Sequence, residues 1–228
     1  MTNIKPGHNL LRSIPLFANA FDETIAAVAA ASSLREFPAR AVLVAEGAAV
    51  EDLYTVVNGA VELLSERDER RLTLCIARSN QPILVCSILA GQSPASARIL
   101  EPSRLMITPA KLILDLIRRD SSLAEDVLRD LSDKWLQMIE CFKSHRLLTS
   151  SERIADWILN ADASSGSTGE VVIPFDKRVL ASYLGMAPEQ LSRHFAALAS
   201  VGVEVRGRHI TLVDRKALAA ITEGAMFN

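Results

Sequence analysis

Cysteine is scarce in this chain of 228 residues. The three that occur, Cys75, Cys86 and Cys141, are widely spaced and odd in number. That pattern supports neither a disulfide framework nor a CxxC metal site, so each is expected to be a small buried hydrophobe. Long hydrophobic runs are missing as well: nowhere do about 18 apolar residues follow one another, so no membrane-spanning helix is expected. The amino terminus lacks basic residues leading into an apolar run, which makes the cytoplasm the expected location. Net charge is only −2, so no global basic field attracts nucleic acid, and any such affinity must come from local asymmetry. Catalytic signatures are also wanting. GxSxG, HExxH, P-loop and strand-borne GxGxxG patterns do not occur, and the four histidines are scattered. An enzyme is therefore not expected.

What is present suits a soluble protein of more than one domain, since 49% of the residues are hydrophobic and can build substantial cores. Leu10 to Ala31 reads as helical, with Asp22 as N-cap. From Leu34 to Thr108 short apolar runs alternate with turns: residues 41–44, 53–57, 61–64, 72–76, 83–86, 97–100 and 105–107. Short strands at this spacing predict a sandwich, barrel or roll. After Pro109 the chain turns helical again. Residues 163–169, Ala-Ser-Ser-Gly-Ser-Thr-Gly, predict a flexible surface loop inside the second domain.

The densest information lies between Asp176 and Asp214. Asp176 is an N-cap before a helix that buries Val179, Leu180 and Leu184. Gly185 suits the helix C-cap and Pro188 the first turn of the next helix. That second helix buries Leu191, Phe195 and Leu198, and leaves Glu189, Gln190, Ser192, Arg193 and His194 outward. Residues 201–205 and 209–213 read as paired strands, with Arg206-Gly207-Arg208 as the turn. A polar second helix after a tight turn, followed by a basic hairpin, is a winged helix-turn-helix, whose second helix enters the DNA major groove. Lys177, Arg178, Arg193, Arg206, Arg208, Arg215 and Lys216 outnumber the acids of this region and supply the local asymmetry.

Between these regions a helix is predicted over about residues 122–146. Ala124, Leu128, Leu131, Trp135, Met138 and Phe142 fall at alternating four- and three-residue steps, the seam of a coiled coil. Leu123, Val127 and Ile139 form a second apolar flank. One flank fits self-association and the other fits contact with the preceding domain; a helix packed only against its own domain is the alternative. A dimer would also place two recognition helices on half-sites about 34 Å apart.

In this order, the elements resemble the Crp/Fnr family of bacterial transcription regulators over nearly the whole chain. In the roll the resemblance rests on Glu46-Gly47 and on Leu53-Tyr54-Thr-Val56-Val-Asn-Gly59-Ala-Val61. In the reader it rests on Glu189-Gln-Leu-Ser192-Arg193 and on Gly202 to Asp214. The implied fold is α+β: an amino-terminal β-roll of the cyclic-nucleotide-binding type (residues 1–120), a long dimerisation helix (121–148) and a carboxy-terminal winged helix-turn-helix (149–228). The Glu-x-x-Ser-Arg signature resembles the Fnr-like branch and implies a TTGAT-type half-site in an inverted repeat. Double-stranded DNA, a second copy of the chain, RNA polymerase and an unknown small-molecule effector are the implied partners, with no membrane.

Elementary chemistry agrees with the base-reading roles. Arg193 can present a bidentate fork to guanine O6 and N7, Glu189 can accept from cytosine N4, and Ser192 suits a base edge or a phosphate. Glu189 and Arg193 share one exposed face; the bland reading is a solvated i,i+4 pair. Lys177, Arg178, Gln190, His194, Arg206 and Arg208 are the expected phosphate contacts, while Leu128, Leu131, Trp135, Met138 and Phe142 are the expected dimer contacts.

The sensor end departs from the family pattern. Members that bind cyclic nucleotides carry a Gly-Glu pair and then an Arg-Ser/Thr pair around a phosphate. Here residues 81–98 contain no glutamate, Pro94 or Ala95 stands where the arginine belongs, and Arg98 is displaced. A phosphate diester needs a cation or several N–H donors, so cyclic AMP is not expected. Iron–sulfur clusters want about four thiolates, and the chain does not supply them. Resemblance to haem-dependent nitric-oxide sensors of the Fnr-like branch leaves haem as a candidate, with His8, His145, Cys75 and Cys86 as candidate ligands; a solvated or helix-capping role is the alternative for His145. The competing functional class is a ligand-binding regulatory module acting through protein partners without DNA.

Overall fold

The computed structural model describes residues 4–68 and 70–223. In chain order these form α1 (His8–Arg12), a 3-10 turn (Pro15–Phe17), α2 (Asp22–Ala31), β1 (Ser33–Phe37), β2 (Val42–Val44), β3 (Asp52–Asn58), β4 (Val61–Arg67), β5 (Arg70–Ala77), β6 (Pro82–Ile83), α3 (Val85–Ala90), β7 (Ser96–Ile99), β8 (Ser103–Pro109), α4 (Ala110–Ile117) and α5 (Ser121–Leu147). There follow α6 (Ser150–Ser164), β9 (Glu170–Val172), α7 (Lys177–Tyr183), α8 (Pro188–Leu198), a 3-10 turn (Ala199–Val201), β10 (Val203–Arg206), β11 (His209–Leu212) and α9 (Arg215–Glu223). The chain divides into two compact units, Met1–Leu136 and Gln137–Asn228, and the division falls within α5.

The first unit holds two four-stranded antiparallel sheets, ordered β1-β8-β3-β6 and β2-β7-β4-β5. Val56, Ile83 and Leu105 from one sheet meet Val61, Ala97 and Ile99 from the other, so the roll is filled by its own side chains. Leu53 and Met106 point the opposite way, into a core with Phe17, Ile25, Ile113, Leu123 and Val127 from the helical layer. Strands β3 and β8 are thus covered on both faces, which is why they read as unbroken apolar runs rather than alternating ones. Each fully buried Leu or Ile here contributes about 1.5–3 kcal/mol.

Three local expectations are corrected. Asp22 does not cap α2; Phe21 is the N-cap, and the Asp22 carboxylate instead accepts from Arg12 Nη2 at 2.6 Å. Residues 83–86 are not one strand: β6 ends at Ile83, Leu84 takes a left-handed conformation with φ 57°, and α3 begins at Val85. Val85 and Ile88, three apart, enter the helical-side core while Ile83 and Leu84 enter the roll, a split that a short apolar run cannot disclose. The cysteines, finally, are not core residues. Cys75 and Cys86 are exposed, and Cys141 is half-buried, its thiol pushed up by burial.

Helix α5 matches the predicted span and carries two apolar flanks. Leu123 and Val127 are buried, whereas Leu128, Trp135, Met138 and Phe142 are 64, 59, 54 and 62% exposed. Leu131 packs partly against the helical-side core, so the stripe is not uniformly open. Ile139, expected on the inner flank, is 37% exposed.

In the second unit, Ile154, Ile158, Leu180, Leu191, Phe195, Leu198, Val203, Ile210 and Leu218 form one core. The order β10-β11-β9 makes a small antiparallel sheet beside the helices. Helix α6 starts with a full capping box in which Thr149 accepts from the Glu152 N–H and Glu152 from the Thr149 N–H. Its far end runs to Ser164, and the segment beyond is tied down: Asp162 accepts from Gly169 N at 2.8 Å through its side chain and from Ser167 N at 2.8 Å through its carbonyl.

Candidate nucleic-acid interface

The helix pair is assembled by signals local to its sequence. Asp176 Oδ1 accepts from the Arg178 N–H at 2.8 Å, a cap worth about 1 kcal/mol. At the other end of α7, Met186 N donates to Ala181 O at 3.0 Å and Gly185 N to Ser182 O at 3.2 Å, with Gly185 at φ +66°. This is a Schellman close, for which glycine avoids the Cβ penalty. Pro188 then opens α8 at its first turn, and Gln190 Oε1 accepts from Ala187 N at 3.0 Å in place of a capping side chain. Leu191, Phe195 and Leu198 are buried as expected, which fixes the rotation of α8 about its axis.

That rotation leaves Glu189, Ser192 and Arg193 exposed. Ser192 Oγ donates back to Pro188 O at 3.0 Å. Among the described residues, Glu189 and Arg193 have no side-chain hydrogen bond and no ion pair, with each other or with any group. The i,i+4 pair that would have explained them blandly is not formed.

Phosphate candidates are placed unevenly. Arg178 is exposed beside the α7 N-terminus, and Lys177 lies half-buried with Nζ 5.5 Å from the centre of the Phe195 ring, packing α7 on α8. His194 is not outward: it follows Leu191 by three residues, so it turns toward α6, with Nδ1 2.9 Å from Ser151 Oγ. The wing turn is Gly207-Arg208, with Arg206 still in β10 opposite His209. Gly207 has φ +61°, which the tight turn requires. Arg206 reaches back to Glu204 at 3.1 Å, and Arg208 Nε donates to Ile173 O at 2.6 Å. A groove of about 450 Å³ runs between α8 and the wing, lined by Lys177, Ser192, Phe195, Ala196, Glu204 and Arg206 among others.

At the sensor end Arg98 Nη2 pairs with Glu66 at 2.9 Å, Ser93 Oγ donates to Ala95 O at 2.6 Å, and Ser96 Oγ accepts from Glu46 N at 3.0 Å. These three side chains near the would-be phosphate turn are thus already engaged. Sequence reading missed the buried Glu62, which accepts from Arg71 and from Thr73 Oγ1 inside the sheet β4–β5; only the register of the two strands brings these residues together. His8 is exposed, 3.7 Å from Asp22, and the His145 ring lies against Gly185. Among the described residues no group of three or more His, Cys, Asp or Glu could hold a metal ion. No helix among them is long and apolar enough to cross a membrane.

Comparison with known proteins decides the family. Residues 34–120 match the cyclic nucleotide-binding domain, and residues 152–221 match the Crp-like helix-turn-helix domain. The chain belongs to the Crp/Fnr family. This Crp/Fnr protein is 24% identical over 188 residues to the "Anaerobic regulatory protein" of Pasteurella multocida, covering 79% of this chain and 68% of that one. It is 27% identical over 144 residues to the "Transcriptional activator protein FnrA" of Stutzerimonas stutzeri, covering 58% and 57%. Its fold is that of FixK2 from Bradyrhizobium japonicum, with a TM-score of 0.74 at 20% identity over 83% of this chain and 96% of that one. The Crp/Fnr chain is therefore a DNA-binding transcription regulator that pairs a cyclic nucleotide-binding domain with a helix-turn-helix. Its relatives are transcription regulators rather than enzymes.

Proposed function

We propose that this regulator binds, as a homodimer, an inverted repeat of TTGAT-type half-sites, reading each through Glu189, Ser192 and Arg193 of one α8. The observation that carries the reading is the pair of unpartnered charged side chains one turn apart on α8, held outward by three buried apolar anchors. A free guanidinium offers guanine its two donors without first breaking an internal bond, and a free carboxylate likewise accepts from cytosine. Arg178, Arg206, Lys177 and the remaining donors around α8 position the helix on phosphates. Self-association is supported by Leu128, Trp135, Met138 and Phe142, four large apolar side chains left open along one side of α5. RNA polymerase is the partner through which a DNA-bound regulator would act.

The roll answers a signal other than cyclic AMP. Support comes from the engaged Arg98, Ser93 and Ser96 and from an interior filled by Val56, Val61, Ile83 and Leu105. Haem with nitric oxide rests on the family resemblance alone: His8 is an exposed residue beside a carboxylate, and the His145 ring is packed on a glycine, so neither fits an axial ligand in this arrangement. Selection of bound duplexes from a random pool tests the half-site. Recovery of TTGAT in inverted pairs is expected, and recovery of an unrelated or single motif refutes the reading. An absorption spectrum after incubation with haem tests the cofactor, with a stoichiometric Soret band as the contrary result.

A further inference from the structure

The first turn of α6 carries more polar ties than its own helix needs. Thr149 and Glu152 already satisfy each other in the capping box. The residues on either side of Glu152 reach beyond the helix. Arg153 donates from Nε to Leu184 O, at the C-cap of α7, at 3.0 Å, and from Nη1 to Leu148 O at 2.7 Å. Ser151 Oγ and His194 Nδ1, 2.9 Å apart, share a hydrogen bond in which either group donates according to the imidazole tautomer. The end of α7 and the middle of α8 are thus both fastened to one turn of a third helix.

Burial of Leu191, Phe195 and Leu198 selects the face that α8 turns to the core. Apolar contact is non-directional, and by itself it tolerates a small roll of the helix on its seat. A hydrogen bond is directional and weakens steeply once its angle falls below about 120°. At about 3.6 residues per turn, His194 lies on one margin of the buried stripe, with Glu189 and Arg193 on the opposite side of the helix. A bond at that margin acts as a stop on the roll, and the aim of the two charged side chains follows from it.

From this geometry we infer that Ser151 is a positioning residue for DNA recognition: through His194 it fixes the roll of α8, and with it the aim of Glu189 and Arg193. The inference rests on α8 being the DNA-reading element, and it names a residue that acts through α8 rather than on the duplex. It also gives His194 a role inside the fold, where its chemistry alone suits a phosphate. The two roles predict different behaviour. A phosphate contact would strengthen binding to every duplex alike and would not involve Ser151. A stop on the roll acts only where base edges are read, and it needs both partners.

The test uses the full chain and the duplex that the wild type itself selects from a random pool, so it does not depend on the half-site being TTGAT; the selected sequence judges that reading separately. Ser151→Ala removes the hydroxyl and keeps the reader folded, since alanine is the stronger helix former and the site is only half-buried. Ser151→Thr retains the hydroxyl, and His194→Leu removes the ring nitrogen. Anisotropy is expected to show Ser151→Ala and His194→Leu each losing about two- to tenfold on the selected duplex, the span of one net hydrogen bond. Ser151→Thr should stay within about twofold of wild type, because the bond is kept. A scrambled duplex should be bound equally by all of them, since phosphate contact is sequence-independent. The Ser151→Ala/His194→Leu double variant should lose no more than the weaker of the two single variants. Wild-type affinity in Ser151→Ala, equal losses on selected and scrambled duplexes, or full additivity of the two substitutions would each overturn the inference. A wild type that prefers no duplex over the scrambled one would overturn the reading of α8 itself, and the inference with it.

Discussion

Asp162, wholly buried, accepts from Arg215 Nε at 3.1 Å, joining the end of α6 to the start of α9 across 53 residues of sequence. The same carboxylate takes the Gly169 N–H, so it closes the loop before β9 as well. Asp162→Ala leaves that N–H without its acceptor and should destabilise the reader by about 1–3 kcal/mol. Thermal unfolding checks this; an unchanged melting temperature would show that the loop is held by other means.

Arg193→Ala should remove discrimination at one base pair of each half-site, at a cost of about 1–3 kcal/mol. Melting should not change, because the side chain has no partner in the folded chain. Competition against duplexes substituted at each position reads the effect. Discrimination retained at every position would remove Arg193 from the base-reading set.

The apolar stripe of α5 gives a separate prediction. Leu128→Glu or Trp135→Glu should shift sedimentation from dimer to monomer while leaving the roll folded, since both side chains are more than half exposed. Losing the second half-site should then weaken binding to an inverted repeat by about 100-fold or more. A dimer that survives both substitutions would place the interface elsewhere.

Acid should loosen the first unit through Asp120. Burial alone would raise the pKa of this carboxyl. Hydrogen bonds from Thr24 and from the N–H groups of Leu123, Phe21 and Ser122 outweigh burial and hold it below the ordinary 3.8. A depressed folded pKa means stability that is present above 3.8 and lost as pH falls through the lowered value. The melting gap between wild type and Asp120→Asn should be widest near neutrality and close below pH 3.8. A gap that persists into strong acid would assign the effect to geometry rather than to charge.

Which of these features the sequence disclosed follows from the range of the interactions involved. The α7–turn–α8 unit was legible because Asp176, Gly185 and Pro188 act within a few residues of themselves, and Leu191, Phe195 and Leu198 mark the buried face. The strands of the roll were legible where apolar runs ended in turns. The run at 83–86 was not, because its residues divide between two cores that are defined only in the folded unit. The polar chemistry of His194 points outward, whereas its spacing from Leu191 turns it toward Ser151. Glu62 with Arg71, and His145 with Gly185, escaped for a common reason: each pairing is made by chain segments brought together in tertiary structure, and no spacing announces it.

Half-site spacing is the most direct test of paired recognition helices. Binding of the full chain should be measured on the selected inverted repeat and on versions with about 5 or about 10 base pairs inserted between the half-sites, a half turn and a full turn of the duplex. Affinity should be highest on the unmodified repeat and fall to that of a single half-site when one copy is rotated to the opposite face. Equal affinity on all three duplexes would contradict two α8 helices held at a fixed separation.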